Sequence, residues 1–93
     1  MSSTVIRYRT KPDAADENQR LIEKVFAELA EARPDGLSYA SYRLDDGVTF
    51  VHVVNGEGLL DLTAFQEFQR DLSDRLEGTP DREPAAQLGR YPV

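Results

Sequence analysis

The sequence predicts an α+β fold in the order β-α-β-β-α-β, with two helices on one face of a four-stranded antiparallel sheet. Three observations lead there. Two apolar stripes at helical spacing, Leu21, Ile22, Val25, Phe26 and Leu29, then Phe65, Phe68, Leu72 and Leu76, each follow a capping-box spacing. Between them Asp46-Gly47 separates two runs rich in β-branched and aromatic residues, which is the pattern of a hairpin. A third run of this kind opens the chain, and a weaker one closes it.

The opening run, STVIRYRTK, is a strand that places Thr4, Ile6, Tyr8 and Thr10 on one face and Val5, Arg7 and Arg9 on the other. Pro12 and Asp13 end it. Asp16 and Gln19 then stand at capping-box spacing before the first helix, which ARPDG closes because Pro34 cannot continue it and Gly36 accepts a positive φ. A two-residue turn at Asp46-Gly47 pairs strands 37–45 and 48–55 with Arg43 opposite Phe50, Ser41 opposite His52 and Tyr39 opposite Val54. These six share a face. The reverse face carries Ala40, Tyr42, Leu44, Thr49, Val51 and Val53 and is the more apolar, so it is expected to meet the helices. Thr63 and Gln66 repeat the capping-box spacing before the second helix, which Gly78 and Pro80 stop. TPDREP reads as a loop and AAQLGRYPV as a terminal strand.

At 93 residues the chain is read as one domain spanning 1–93. With 17 acidic against 11 basic residues, the formal charge of -6 repels phosphates, so no nucleic acid and no anionic membrane surface is expected as a partner. The absence of cysteine excludes disulfides, thiolate metal sites and thiol nucleophiles, and accords with a cytoplasmic setting. MSSTVIRYRTK has no apolar run of a signal peptide, and no stretch approaches the roughly 20 apolar residues of a membrane helix. Asp45-Asp46 and Asp13 to Glu17 belong to a turn and a helix start, without the partners a metal needs. NGEG matches no phosphate loop. Neither a metal nor a cofactor is expected.

Two helices on one side of a sheet form the ferredoxin-like arrangement and leave the other sheet face uncovered. On the pairing above, Val5, Tyr39, Phe50 and Val54 would lie there. Packing two such faces together in a homodimer removes that apolar surface from water.

VIRYRTKP in the first strand, ENQRLIEKVFAEL in the first helix, DGVTFVHV at the hairpin and LTAFQEFQ in the second helix resemble the small antibiotic-biosynthesis-monooxygenase-like proteins of the dimeric α/β-barrel superfamily. The likeness runs over essentially the whole chain and is strongest to short actinobacterial members. It implies a homodimer whose sheets form one barrel, a pocket between each sheet and its own helices, and cofactor-independent oxidation of an aromatic or quinone-like small molecule. The haem-degrading branch relies on a first-strand asparagine, a tryptophan and a histidine on the second helix. None of these stands in the matching place here, and haem degradation is rejected. Of the tryptophan, asparagine, tyrosine and arginine that polyketide-oxidising members use, only tyrosine and arginine are available as types.

His52 is the only histidine, and its ordinary pKa suits a general base. Its strand neighbours Tyr39, Ser41 and Arg43 supply donors for an enolate. The competing and preferred reading makes His52 a hydrogen-bonded packing residue on the uncovered face, away from the helices. A Ser41-His52 nucleophile pair lacks the turn that would expose the hydroxyl. Arg7, Arg9 and Arg43 would line the face of His52 either as an anion pocket or, by preference, as ion pairs and solvated strand ends. Tyr8 and Tyr42 are expected to point toward the helices, as pocket donors or as core residues with satisfied hydroxyls. The candidate site is thus His52 as catalyst with Tyr8, Tyr42, Tyr39 and Arg43 as substrate contacts. The alternative is a non-catalytic small-molecule-binding or structural dimer.

Overall fold

A computed structural model describes residues 2–92. It is built from β1 (Ser2–Thr10), α1 (Ala15–Ala32), β2 (Ser38–Arg43), β3 (Thr49–Asn55), α2 (Thr63–Arg70), a single helical turn α3 (Leu72–Arg75) and β4 (Leu76–Ala86). Short 3-10 turns at Pro12–Ala14 and Leu59–Asp61 lead into α1 and α2. The four strands form one antiparallel sheet in the order β2-β3-β1-β4. This is the ferredoxin-like arrangement, with the helices on one face.

The hairpin register is the expected one: Tyr39 pairs with Val54, Ser41 with His52 and Arg43 with Phe50. The turn differs. Four residues, Asp45 to Val48, form the loop, closed by Gly47 N donating to Leu44 O at 2.9 Å and Leu44 N donating to Thr49 O at 2.9 Å. Lengthening the loop by one residue on each side leaves the register unchanged. Asp46 organises it, accepting from Val48 N at 3.0 Å, Thr49 N at 2.8 Å and the Thr49 hydroxyl at 2.5 Å, while Gly47 takes φ +79°.

The expected facing of the hairpin is reversed. Phe50 and His52 are 1% and 3% exposed and lie against the helices, as do Tyr39 and Val54. The reason is the pairing of β3 with β1: Ile6 stands opposite His52, and Tyr8 opposite Phe50. Directly paired residues share a face. The helix-facing set of β1, read correctly from its alternation, therefore carries Phe50 and His52 with it. Tyr42, expected beneath the helices, lies on the open face opposite Val51 and is 57% exposed.

Between sheet and helices, Tyr8, Phe50, Ile22, Val25, Phe65 and Phe68 form the centre of the core. Leu59 and Leu62 cover one end. The two helices start without the expected capping boxes. The Pro12–Ala14 turn starts α1 before Asp16, which, with Gln19, instead accepts hydrogen bonds from Arg43. The first N–H groups of α2 donate to Glu28 on α1, from Thr63 at 3.2 Å and Ala64 at 2.8 Å. A carboxylate from the neighbouring helix thus does what the Thr63 side chain was expected to do.

The second helix also ends earlier than Gly78. Leu76, expected on the helical stripe, begins β4, and the segment expected as a loop is strand. β4 pairs only with β1, so its outer edge needs no donors and tolerates Pro80 and Pro84. Between Glu77 and Asp81 the ladder is irregular, with Gly78, Thr79 and Pro80 set against the single residue Tyr8. Gly78 takes φ +80° there, the glycine-type conformation of a bulge. Of the terminal segment expected as a strand, only Ala85 and Ala86 belong to β4, residues 87–92 are in no regular element, and Val93 lies outside the described residues.

Candidate functional site

A line of rings crosses the helix-facing side of the sheet. Tyr8 of β1, His52 of β3 and Tyr39 of β2 lie nearly parallel, with centroids 5.3 Å apart from Tyr8 to His52 and 5.7 Å from His52 to Tyr39. Their order follows from the two strand registers. Phe50 extends the line beyond Tyr8, and Phe26 of α1 beyond Tyr39. From α2, Phe68 meets His52 at 5.8 Å and Phe65 meets Tyr39 edge-on at 6.3 Å. These aromatic contacts hold the imidazole from several directions.

Both ring nitrogens of His52 are engaged. Nε2 lies 2.8 Å from the Tyr8 hydroxyl, and Nδ1 lies 2.7 Å from both the Tyr39 and Ser41 hydroxyls. The network continues inward. Asn18 Nδ2 donates to the Tyr8 hydroxyl at 2.9 Å, and Arg75 Nε donates to Asn18 Oδ1 at 3.0 Å. Arg75 also donates through Nη2 to Phe68 O at 2.7 Å and packs over the Phe68 ring. Asn18 is 0% exposed and Arg75 5%. Among the described residues no buried side-chain nitrogen or oxygen lacks a partner, which is what permits so much polarity within the core.

Burial sets the protonation states. It lowers the His52 pKa from 6.5 to about 4, so the ring is neutral near pH 7. It also raises the phenols of Tyr8 and Tyr39, against the lowering effect of the hydrogen bonds from Asn18 and Ser41 respectively. The centre is therefore an uncharged imidazole between uncharged hydroxyls.

Tyr8, Tyr39 and His52 reach the wall of a small cavity of about 40 Å³, closed by Phe65, Phe68 and Leu72 of the helical layer. Ile6, Val54, Leu59, Phe65, Gln69 and Arg82 line both this cavity and a wider cleft of about 470 Å³ that opens beside the Leu59–Asp61 turn. The hydroxyl-histidine centre thus lies at the inner end of an opening between the sheet and its helices. Among the described residues no group of three or more His, Asp or Glu side chains is gathered as a metal site.

Three of the sequence-derived site residues come together here: His52, Tyr8 and Tyr39. Tyr42 lies across the sheet. Arg43 shares the helix-facing side but is committed at the hairpin end, donating to Gln19 at 2.6 Å, Asp16 at 3.1 Å and Gly47 O at 2.9 Å. It is absent from the walls of both openings. Asn18, Arg75, Gln69 and Arg82 are the members that sequence reasoning missed. Asn18 carried a signal, being a polar residue one helical turn before Ile22 on the buried face.

No protein-family model matches the sequence, and no curated protein matches it. Solved structures do. A Nitrosomonas europaea protein assigned to the antibiotic biosynthesis monooxygenases superposes with a TM-score of 0.78 at 12% identity, covering 99% of this chain and 92% of that one. Rv0793 from Mycobacterium tuberculosis gives 0.74 at 16%, covering 97% of each chain. A variant of SnoaB, a cofactor-independent oxygenase from Streptomyces nogalater, gives 0.67 at 16%, covering 99% and 97%. The chain resembles the antibiotic biosynthesis monooxygenases over nearly its whole length, and what it shares with them at this identity is the fold.

Proposed function

We propose that the protein is a homodimer that binds an aromatic or quinone-like small molecule between sheet and helices and oxidises it without a cofactor. The observation that carries this reading is a neutral histidine set between tyrosine hydroxyls at the inner end of a cleft. Fold resemblance to a cofactor-independent oxygenase supports the reaction class. The substrate's rings would occupy the outer cleft, with the reacting edge toward the Tyr39 hydroxyl. A substrate whose activated methylene has already given its proton to solvent arrives as an enolate, whose charge the hydroxyl donors hold while dioxygen takes its electrons. Four electrons pass from carbon to dioxygen, one oxygen atom becomes the new carbonyl oxygen, and the other leaves in water. A cytoplasmic setting accords with the cysteine-free chain, and among the described residues no helix is long and apolar enough to cross a membrane.

The size of the inner cavity favours a second reading. About 40 Å³ is far below the roughly 300–1,000 Å³ of a small-molecule pocket, which suits a network that fills its own interior and binds without turnover. Oxygen uptake with anthrone, an aromatic ketone with an acidic methylene, separates the two. The oxygenase reading predicts one dioxygen consumed per anthraquinone formed. Tyr39→Phe should lower the rate by about a hundredfold, the cost of removing one donor to a developing oxyanion. Uptake equal to that of buffer would favour the binder.

A further inference from the structure

The hydrogen bonds behind the cavity can be ordered from chemistry alone. A guanidinium only donates, so the Asn18 atom facing Arg75 must be the amide oxygen. The amide nitrogen then faces Tyr8, and it too only donates. The Tyr8 oxygen is the acceptor, which leaves the phenol's own proton for His52 Nε2. Nε2 is therefore the bare nitrogen, and the imidazole proton sits on Nδ1, facing Tyr39 and Ser41. Those two hydroxyls bring protons of their own, so the cluster holds one more proton than its internal acceptors use. Of these two residues Tyr39 lines the cavity, beside Tyr8 and His52.

We propose that Arg75 and Asn18 are positioning residues that lock this proton order, so that the cavity presents donors and takes its ligand through an ionised enol or phenol oxygen. This rests on the small-molecule site proposed above. Every bond in the series Arg75, Asn18, Tyr8, His52, Tyr39 points its proton toward the cavity, and a buried cation stands at the far end. Aligned bonds of this kind strengthen one another in a low-dielectric interior. Arg75 forms no ion pair among the described residues, so its charge is spent on this series, on Phe68 O and on the Phe68 ring. His52 is then a donor relay, and removing a proton from the ligand is not its task. The ligand is a molecule acidic enough to arrive ionised. Arg82, on the wall shared by cavity and cleft, adds a positive charge to the same route.

Asn18→Asp tests the lock. A carboxylate keeps the bond to Arg75 but has no proton to give, so Tyr8 must turn its hydroxyl toward it. Nε2 then becomes the donor and Nδ1 the bare nitrogen. Nitrogen-15 spectra of the His52 ring at neutral pH should show the proton on Nδ1 in the wild type and on Nε2 in the variant, a change that loosened packing would not produce. In parallel, 2-hydroxy-1,4-naphthoquinone, an ionised enol, should bind the wild type about tenfold more tightly than its neutral methyl ether, and this preference should vanish in the variant. A wild-type ring protonated on Nε2, or equal affinity for the two probes, overturns the inference and leaves the pocket standing. Protonation on Nδ1 with neither probe bound overturns the pocket itself and the ligand class with it. Should the variant not fold, the wild-type spectrum and the two affinities decide.

Discussion

At His52 a neutral ring is maintained by burial, and this makes the residue an acid-sensitive point in the fold. In the unfolded chain the imidazole takes a proton near pH 6.5, whereas in the folded protein it does so at about 4. Between those values the unfolded state binds more protons. Stability contributed by the neutral ring is therefore fully present above pH 6.5 and falls as the pH drops toward 4, by on the order of 3 kcal/mol. Asp46, lowered from 3.8 to about 2 by its turn hydrogen bonds, adds to the loss only below that range. Urea unfolding across pH 6.5 to 4 should show this decline in the wild type and lose it in His52→Gln, whose amide does not titrate. A wild type equally stable at both ends would contradict the account. The pairing of His52 with Ser41 was legible in the sequence from the Asp46-Gly47 turn. Its facing was not, because Ser41, His52 and Arg43 looked too polar for the helix side, whereas hydroxyl partners satisfy His52 and Ser41 there and Arg43 stays exposed at the hairpin end. The missing knowledge was the β1–β3 register, which places the plainly core-facing Tyr8 beside Phe50.

Among the elements, α2 shows how tertiary contact replaces a local signal. Thr63 and Gln66 have the spacing of a capping box, yet the first N–H groups of α2 go to Glu28 on α1, and Gln66 donates instead to Leu60 O at 3.0 Å. Glu28→Ala should therefore destabilise the fold by about 1 kcal/mol, the usual worth of a helix cap, whereas Thr63→Ala should be close to neutral. Denaturant midpoints of the two variants check this, and the reverse ranking would restore the local capping box. The strands whose pattern alternates, β1 to β3, were legible from that alternation. β4 was not, since an exposed edge strand with Pro80, Pro84 and a bulge has neither apolar alternation nor β-branched composition to mark it.

For the whole molecule, the reversal of the hairpin changes what the open sheet face carries. It bears Val5, Ala40, Tyr42, Val51 and Val53, paired across adjacent strands, in place of the expected Phe50, Tyr39 and Val54. Half-exposed valines and a largely exposed Tyr42 still make a face suited to a second copy, and this supports the proposed homodimer. The charge that probes it belongs at Val53, between Val5 and Ala40, because Val54 faces the cleft. Val53→Asp should give folded monomer at micromolar concentration by light scattering, since burying an unpaired carboxylate at an interface costs on the order of 3 kcal/mol or more. A wild-type chain that is itself monomeric would refute the dimer.

In the function proposed above, the working surface lies between sheet and helices, at the His52 centre. The most direct test is to map the binding of 2-hydroxy-1,4-naphthoquinone by following backbone amide and His52 ring signals during a titration. Saturable shifts are expected at His52, Tyr39, Leu59, Phe65 and Arg82, with Ala40, Tyr42, Val51 and Val53 unmoved. Shifts confined to those open-face residues, or no saturable shift anywhere, would contradict that proposal.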